Sequence, residues 1–186
     1  MSSPAQTTRY TYDDLASFPD DGLRRELIGG ELIVSPAPRL RHQRVVAEFT
    51  TEFTLHTRAH GGTVFPAPTD VYLTHEDVVE PDVLFVRPEH SDRIEDKFVR
   101  SAPDIVVEVS SPSTRHLELV RKRDLYERHG VPEYWHIDLD ADSVQVSRLD
   151  RGRYSHPETL TRRDKLTSPL LPGFAVAIDE LLGPQM

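Results

Sequence analysis

The sequence predicts an α/β fold with a mixed central β-sheet flanked by helices, and three observations predict it. Two short runs, Glu80-Pro-Asp-Val-Leu-Phe-Val86 and Asp104-Ile-Val-Val-Glu-Val-Ser-Ser111, are rich in β-branched and apolar residues on both faces, as expected of strands covered on each side. Glycine-bearing turns at Gly29-Gly30 and Asp150-Arg-Gly152 announce hairpins, which demand antiparallel pairs and argue against a purely parallel, doubly wound sheet. The stretch from Arg39 to His60 keeps Val45, Val46, Phe49 and Phe53 on one face, the pattern of a long amphipathic helix that ends at Gly61-Gly62.

Residues 1 to 10 read as a disordered tail and residues 11–186 as a single domain. Thr11-Tyr-Asp-Asp-Leu15 supplies a cap and acids for a first short helix. Arg24 to Ile28 and Glu31 to Val34 form a hairpin. His56 and His60 have the i, i+4 spacing that can bind zinc, but with no third ligand nearby they read as surface histidines. Thr63 to Phe65 and Asp70 to Leu73 are strands, and His75-Glu-Asp77 is a turn. Pro88 to Pro103 reads as a loop with a short helix near Asp92 to Phe98. The next helix has Ser111 or Ser113 as N-cap candidates and should run to about His129, where Gly130 and Pro132 stop it. Glu133 to Asp138 is a strand, with Tyr134 and Trp135 at core and rim. Val144 to Leu149 pairs with Tyr154 to His156, and Ala175 to Leu182 ends the chain as a strand or helix.

Glu108 stands where a carboxylate is costly, inside a run that buries both faces. It must be protonated, paired or bound to metal. Asp82 heads the other apolar run, behind Pro81 at the strand start. Neighbouring strands lie about 4.8 Å apart, so the two acids can meet. Asp104 cannot join Glu108, since four residues along one strand separate them by roughly 13 Å. Two hard oxygen donors suit magnesium or manganese rather than zinc. On the following helix Glu118, Lys122 and Tyr126 share one stripe. Only Lys97, Lys122 and Lys165 are lysines among 22 basic residues, so Lys122 beside the carboxylate strand suggests a need for a compact ammonium. The alternative is a helix-surface lysine paired with Glu118.

At these residues the chain resembles the Uma-two family of the PD-(D/E)XK nuclease superfamily, whose fold is restriction endonuclease-like. The resemblance lies in Pro81-Asp82, Glu108-Val-Ser-Ser-Pro-Ser-Thr114, Lys122 with Tyr126, and Gly130-Val-Pro-Glu-Tyr-Trp-His-Ile-Asp138. It extends to Arg25-Glu-Leu-Ile-Gly-Gly-Glu-Leu-Ile-Val-Ser-Pro-Ala-Pro38 with His42-Gln43, and to Leu171-Pro-Gly-Phe174, nearly the whole chain. It implies that Asp82 and Glu108 are metal ligands, Lys122 the catalytic lysine and Glu26 an accessory acid. His42, Ser110 and Tyr126 are weaker candidates. Ser110 occupies the place, two residues after the glutamate, where the superfamily has its lysine; here that lysine is displaced to the next helix.

The expected function is therefore a metal-dependent nuclease, using Mg2+ or Mn2+, that hydrolyses phosphodiester bonds of nucleic acid, with DNA as the expected substrate. Double-strand cutting by a one-site chain implies a homodimer. The competing class is a non-catalytic binding or assembly module that keeps the nuclease fold. In its favour are the missing lysine at position 110 and a formal charge of −9, which disfavours tight non-specific DNA binding. A serine hydrolase ranks last, because no Gly-x-Ser-x-Gly elbow is present. With no cysteine in 186 residues, disulfides and cysteine-zinc sites are excluded, and no apolar run reaches membrane-spanning length. A cytoplasmic location is expected.

Overall fold

The computed structural model describes residues 8–19, 21–110 and 115–184. After α1 (Tyr12–Leu15) comes the hairpin of β1 (Arg24–Ile28) and β2 (Glu31–Ser35), then α2 (Leu40–His60). Gly29 and Gly30, at φ 58° and 75°, make the two-residue turn whose left-handed backbone only glycine adopts without strain. Four strands follow: β3 (Thr63–Pro66), β4 (Asp70–Thr74), β5 (Asp77–Val79) and β6 (Val83–Val86). A 3₁₀ turn over Pro88–Arg93 leads to β7 (Phe98–Arg100) and β8 (Ile105–Ser110). The next helix opens with a widened π turn over Leu117–Lys122 and continues as α3 (Arg123–Arg128). The chain closes with β9 (Glu133–Asp138), β10 (Ser143–Asp150), β11 (Arg153–Tyr154), β12 (Glu158–Thr161), β13 (Lys165–Thr167), β14 (Ala175–Ala177) and α4 (Ile178–Leu182).

The strands form mixed sheets rather than one central sheet. The larger runs β11-β10-β9-β8-β6-β3, with β12 also on β10. Within it β8 is parallel to β9 and antiparallel to β6. A second sheet runs β2-β1-β5-β4-β7, and β13 pairs with β14. Strand alternation sends Ile105, Val107 and Val109 to one face of β8, where Phe49 and Phe53 of α2 pack with Trp135 and Phe174. Phe53 lies 5.5 Å from Trp135 and 5.6 Å from Phe174, ring centre to ring centre. Val106 and Glu108 point to the other face, shared with Leu84, Leu125, Tyr126 and Tyr134. A carboxylate is thus placed inside a second apolar layer.

Several local expectations need correction. The described part of the expected tail is tied down: Tyr10 N–H donates to Gly30 O at 2.8 Å, and Arg9 bonds Gly29 O. Residues 1–7 lie outside the described residues, as do the cap candidates Ser111 and Ser113. The short helix expected near Asp92 to Phe98 is a 3₁₀ turn that starts earlier, at Pro88, and ends at Arg93, and Phe98 opens β7. β5 continues from the turn at His75, and β12 and β13 were not foreseen. His56 is not a surface residue, because it packs against Phe85 and Phe174 while stacking on His60 at 4.3 Å. Tyr134 and Trp135 are both fully buried. Among the described residues no helix is long and apolar enough to cross a membrane.

Candidate active site

The register of the large sheet brings the two acids together. Val83 pairs with Val107, so Asp82, one residue before, stands opposite Glu108, one residue after. Both side chains fall on the face opposite that of Val83 and Val107, and both are buried. Asp104, on the same strand as Glu108, is engaged elsewhere, by Arg87 Nε at 2.8 Å and His90.

β1 of the second sheet supplies Glu26, also buried, and the helix after β8 supplies Lys122, which is 1% exposed. Lys122 is therefore no surface lysine. Its Nζ lies 2.6 Å from Glu26 Oε1 and 2.9 Å from Glu108 Oε1, so it joins the acids of the two sheets. Tyr126, one turn on, donates its hydroxyl to Glu108 Oε1 at 2.6 Å. His42, in the first turn of α2, meets Asp82 Oδ2 at 3.2 Å. Ser110 lines the same cavity, but its hydroxyl donates to Ile137 O. The stripe Glu118-Lys122-Tyr126 holds as read, and all three are buried. The widened turn that carries Glu118 and Lys122 is a form frequent at functional sites.

Each of the three acids has one oxygen held by protein donors. Asp82 Oδ2 accepts the Val109 N–H at 2.7 Å as well as the His42 contact. Glu108 Oε1 takes Lys122 and Tyr126. Glu26 Oε1 takes Lys122 and the Glu80 N–H at 2.8 Å. The other three oxygens face one guanidinium, that of Arg24. Its Nη1 is 2.8 Å from Asp82 Oδ1, its Nη2 3.5 Å from Glu108 Oε2, and its Nε 3.8 Å from Glu26 Oε2. Sequence reading missed Arg24. The signal was present: two residues before Glu26 on one strand, it must share that residue's face.

Electrostatics follow from this crowding. Burial pulls Lys122 downward, but the charges of Glu108 and Glu26 outweigh it and hold the ammonium above the ordinary lysine value. Burial pushes Glu108 up, and Lys122 only partly offsets that. Burial also acts upward on Asp82, yet the His42 hydrogen bond and the Arg24 charge dominate and keep it well below the usual carboxylate range. His42 is depressed by burial but raised on balance by its bond to Asp82.

The site opens on a cavity of about 990 Å³. It is lined by buried Glu26, Asp82 and Lys122 and by the more exposed Pro36, Pro38, Arg39 and Leu40. Three hard carboxylate oxygens face the Arg24 guanidinium, and such oxygens are the donor chemistry that a divalent metal ion takes. Glu26 Oε2 and Glu108 Oε2 are moreover buried without a hydrogen-bond partner. Among the described residues no three such side chains are grouped as a ready-made cage.

Mixed sheets flanked by helices, with Asp82 beside Glu108 on neighbouring strands and Lys122 on the helix that follows, define a mixed α/β fold. The chain is similar in fold to the crystal structure of a putative nuclease belonging to DUF820 from Anabaena variabilis ATCC 29413. The TM-score is 0.77 at 20% identity, over 92% of this chain and 97% of that one. The sequence model of Uma2, described as "Putative restriction endonuclease", matches residues 10–179. The chain belongs to the Uma2 family. No curated protein matches it.

Proposed function

We propose that this protein is a metal-dependent nuclease that hydrolyses phosphodiester bonds of nucleic acid, with DNA as substrate, by a PD-(D/E)XK mechanism. One observation carries the reading: Lys122 is buried against Glu26 and Glu108, with Asp82 opposite Glu108 on the next strand. Desolvating a lysine and three acids together is expensive, and apolar residues of similar size would serve stability as well. Such a cluster on the wall of a large cavity points to chemistry. Family membership supports the same reading.

Asp82 and Glu108 would hold one or two Mg2+ or Mn2+ ions, with Glu26 beside them. Such an ion, when bound, polarises a phosphate oxygen and makes a bound water more acidic. The remaining work belongs to the chain's own groups. Lys122 is held as an ammonium, so it acts as a donor: it orients the attacking water and offsets charge that develops on the phosphate oxygens. Glu26 fixes Lys122 from the second sheet. Tyr126 and Lys122 fix one oxygen of Glu108, while His42 and the Val109 N–H fix one oxygen of Asp82, which leaves the other oxygen of each for a cation.

A non-catalytic module that keeps the fold is the second reading, and one observation favours it. A protein cation, Arg24, already lies among the acids, 2.8 Å from Asp82 and 3.5 Å from Glu108. Asp82→Ala and Glu108→Ala separate the two readings. The nuclease reading expects both to lose divalent-metal binding and cleavage of DNA. Variants that bind metal and cut as the wild type does would place the chemistry elsewhere.

A further inference from the structure

Arg24 sits where the three acids of the site send the oxygens that no other group holds. Its fork reaches Asp82 Oδ1 at 2.8 Å, but only approaches Glu108 Oε2 at 3.5 Å and Glu26 Oε2 at 3.8 Å. Those last two oxygens, and Arg24 Nε itself, are buried without a hydrogen-bond partner. One good bond out of three is a poor fit for a planar guanidinium, which is built to pair a carboxylate with two parallel bonds. A small divalent ion draws oxygen ligands in to about 2.0–2.6 Å, and one point charge can satisfy several at once.

Lys122 differs. It is sealed in at 1% exposure, and both its carboxylate contacts are short. Arg24 lies on the cavity wall with its side chain 23% exposed, and it has open volume to turn into. Of the two cations, only Arg24 has somewhere to go.

We propose that Arg24 is a resident counter-cation that competes with the divalent ion for Asp82, Glu108 and Glu26, so that metal enters only by displacing the guanidinium into the cavity. This rests on the metal-dependent reading of the site. The apo site is then neutralised by its own chain, and metal affinity is set partly by the cost of releasing Arg24.

The test is Mn2+ binding to the full chain, read from the electron paramagnetic resonance of free Mn2+, for wild type, Arg24→Gln, Asp82→Asn and the double variant. Competition predicts that Arg24→Gln binds Mn2+ about tenfold tighter than wild type or better, and that Asp82→Asn abolishes the gain. If Arg24→Gln binds no tighter than wild type while both still need Asp82, the competition is wrong and the nuclease reading stands. If neither protein shows Asp82-dependent binding, the metal reading falls and takes the competition with it. A crystal of the wild type grown with Mn2+ decides the matter even if Arg24→Gln folds poorly. An anomalous peak between Asp82 and Glu108 with Arg24 swung into the cavity supports the proposal. The same peak with Arg24 still bonded to Asp82 overturns it.

Discussion

Lys122 Nζ lies 2.6 Å from Glu26 Oε1, a contact that links the helix after β8 to the first strand of the other sheet. Removing one partner of a buried pair leaves charge unpaired, which costs about 3–5 kcal/mol. Lys122→Ala should therefore lose stability of that order at pH 8. The loss should shrink towards pH 5, because Glu108 is already pushed upward and relieves the strain by taking a proton. Urea unfolding at the two pH values checks this. A loss below about 1 kcal/mol at both would mean that the pair contributes little.

Tyr126→Phe removes one donor from Glu108 and nothing else from the core. A hydrogen bond to a charged group is worth about 1.5–3 kcal/mol, and the variant should lose that much while keeping its fold. With one donor fewer, Glu108 should bind its proton more tightly. Mn2+ binding at pH 7, followed by calorimetry, should weaken and should recover as the pH is raised.

The architecture was legible in the sequence wherever pattern and punctuation agree. β8 reads as a central strand because it is apolar on both faces, and the β1–β2 hairpin reads from Gly29-Gly30. Asp82 and Glu108 stood out because charge is costly in such surroundings, and Lys122 because lysine is scarce in this chain; its role came from the resemblance. Glu26 was visible only through resemblance, since strand alternation cannot tell a buried acid from a solvated one. What stayed hidden depends on tertiary contact: Arg24 gains meaning only when β1 is docked beside β6 and β8. β12, β13 and the division into several sheets depend on pairings between distant segments, which local pattern does not encode.

His136 is the register partner of Glu108 on β9, and neither of its ring nitrogens has a hydrogen-bond partner. Burial holds it down to about 4, so it stays neutral in the folded protein down to that pH. The unfolded chain takes up this proton from about pH 6.5 downward, so stability falls as pH drops from 6.5 to 4, by up to about 3 kcal/mol. His136→Phe should flatten that acid limb. Thermal midpoints measured from pH 7 to pH 4 for both proteins would show equal slopes if His136 plays no part.

Glu80, beside Asp70 and Glu26, behaves in the opposite sense. Burial, then the charge of Asp70, pushes it up to about 7. The folded state therefore holds a proton that the unfolded chain releases near its ordinary carboxylate value, and ionising Glu80 as pH rises towards 7 costs stability. Glu80→Gln removes that cost. Its thermal midpoint should overtake that of the wild type as pH is raised from 5 to 8, and a constant difference would refute the assignment.

The most direct measurement is cleavage of supercoiled plasmid and of a panel of branched and single-stranded DNAs with Mg2+ or Mn2+, comparing wild type with Asp82→Ala and Lys122→Ala. Circular dichroism of each protein confirms its fold beforehand. Metal-requiring nicking by wild type, absent from both folded variants, is the predicted result. Wild-type protein that binds the metal yet cuts none of these DNAs would contradict the nuclease account and point to the non-catalytic module.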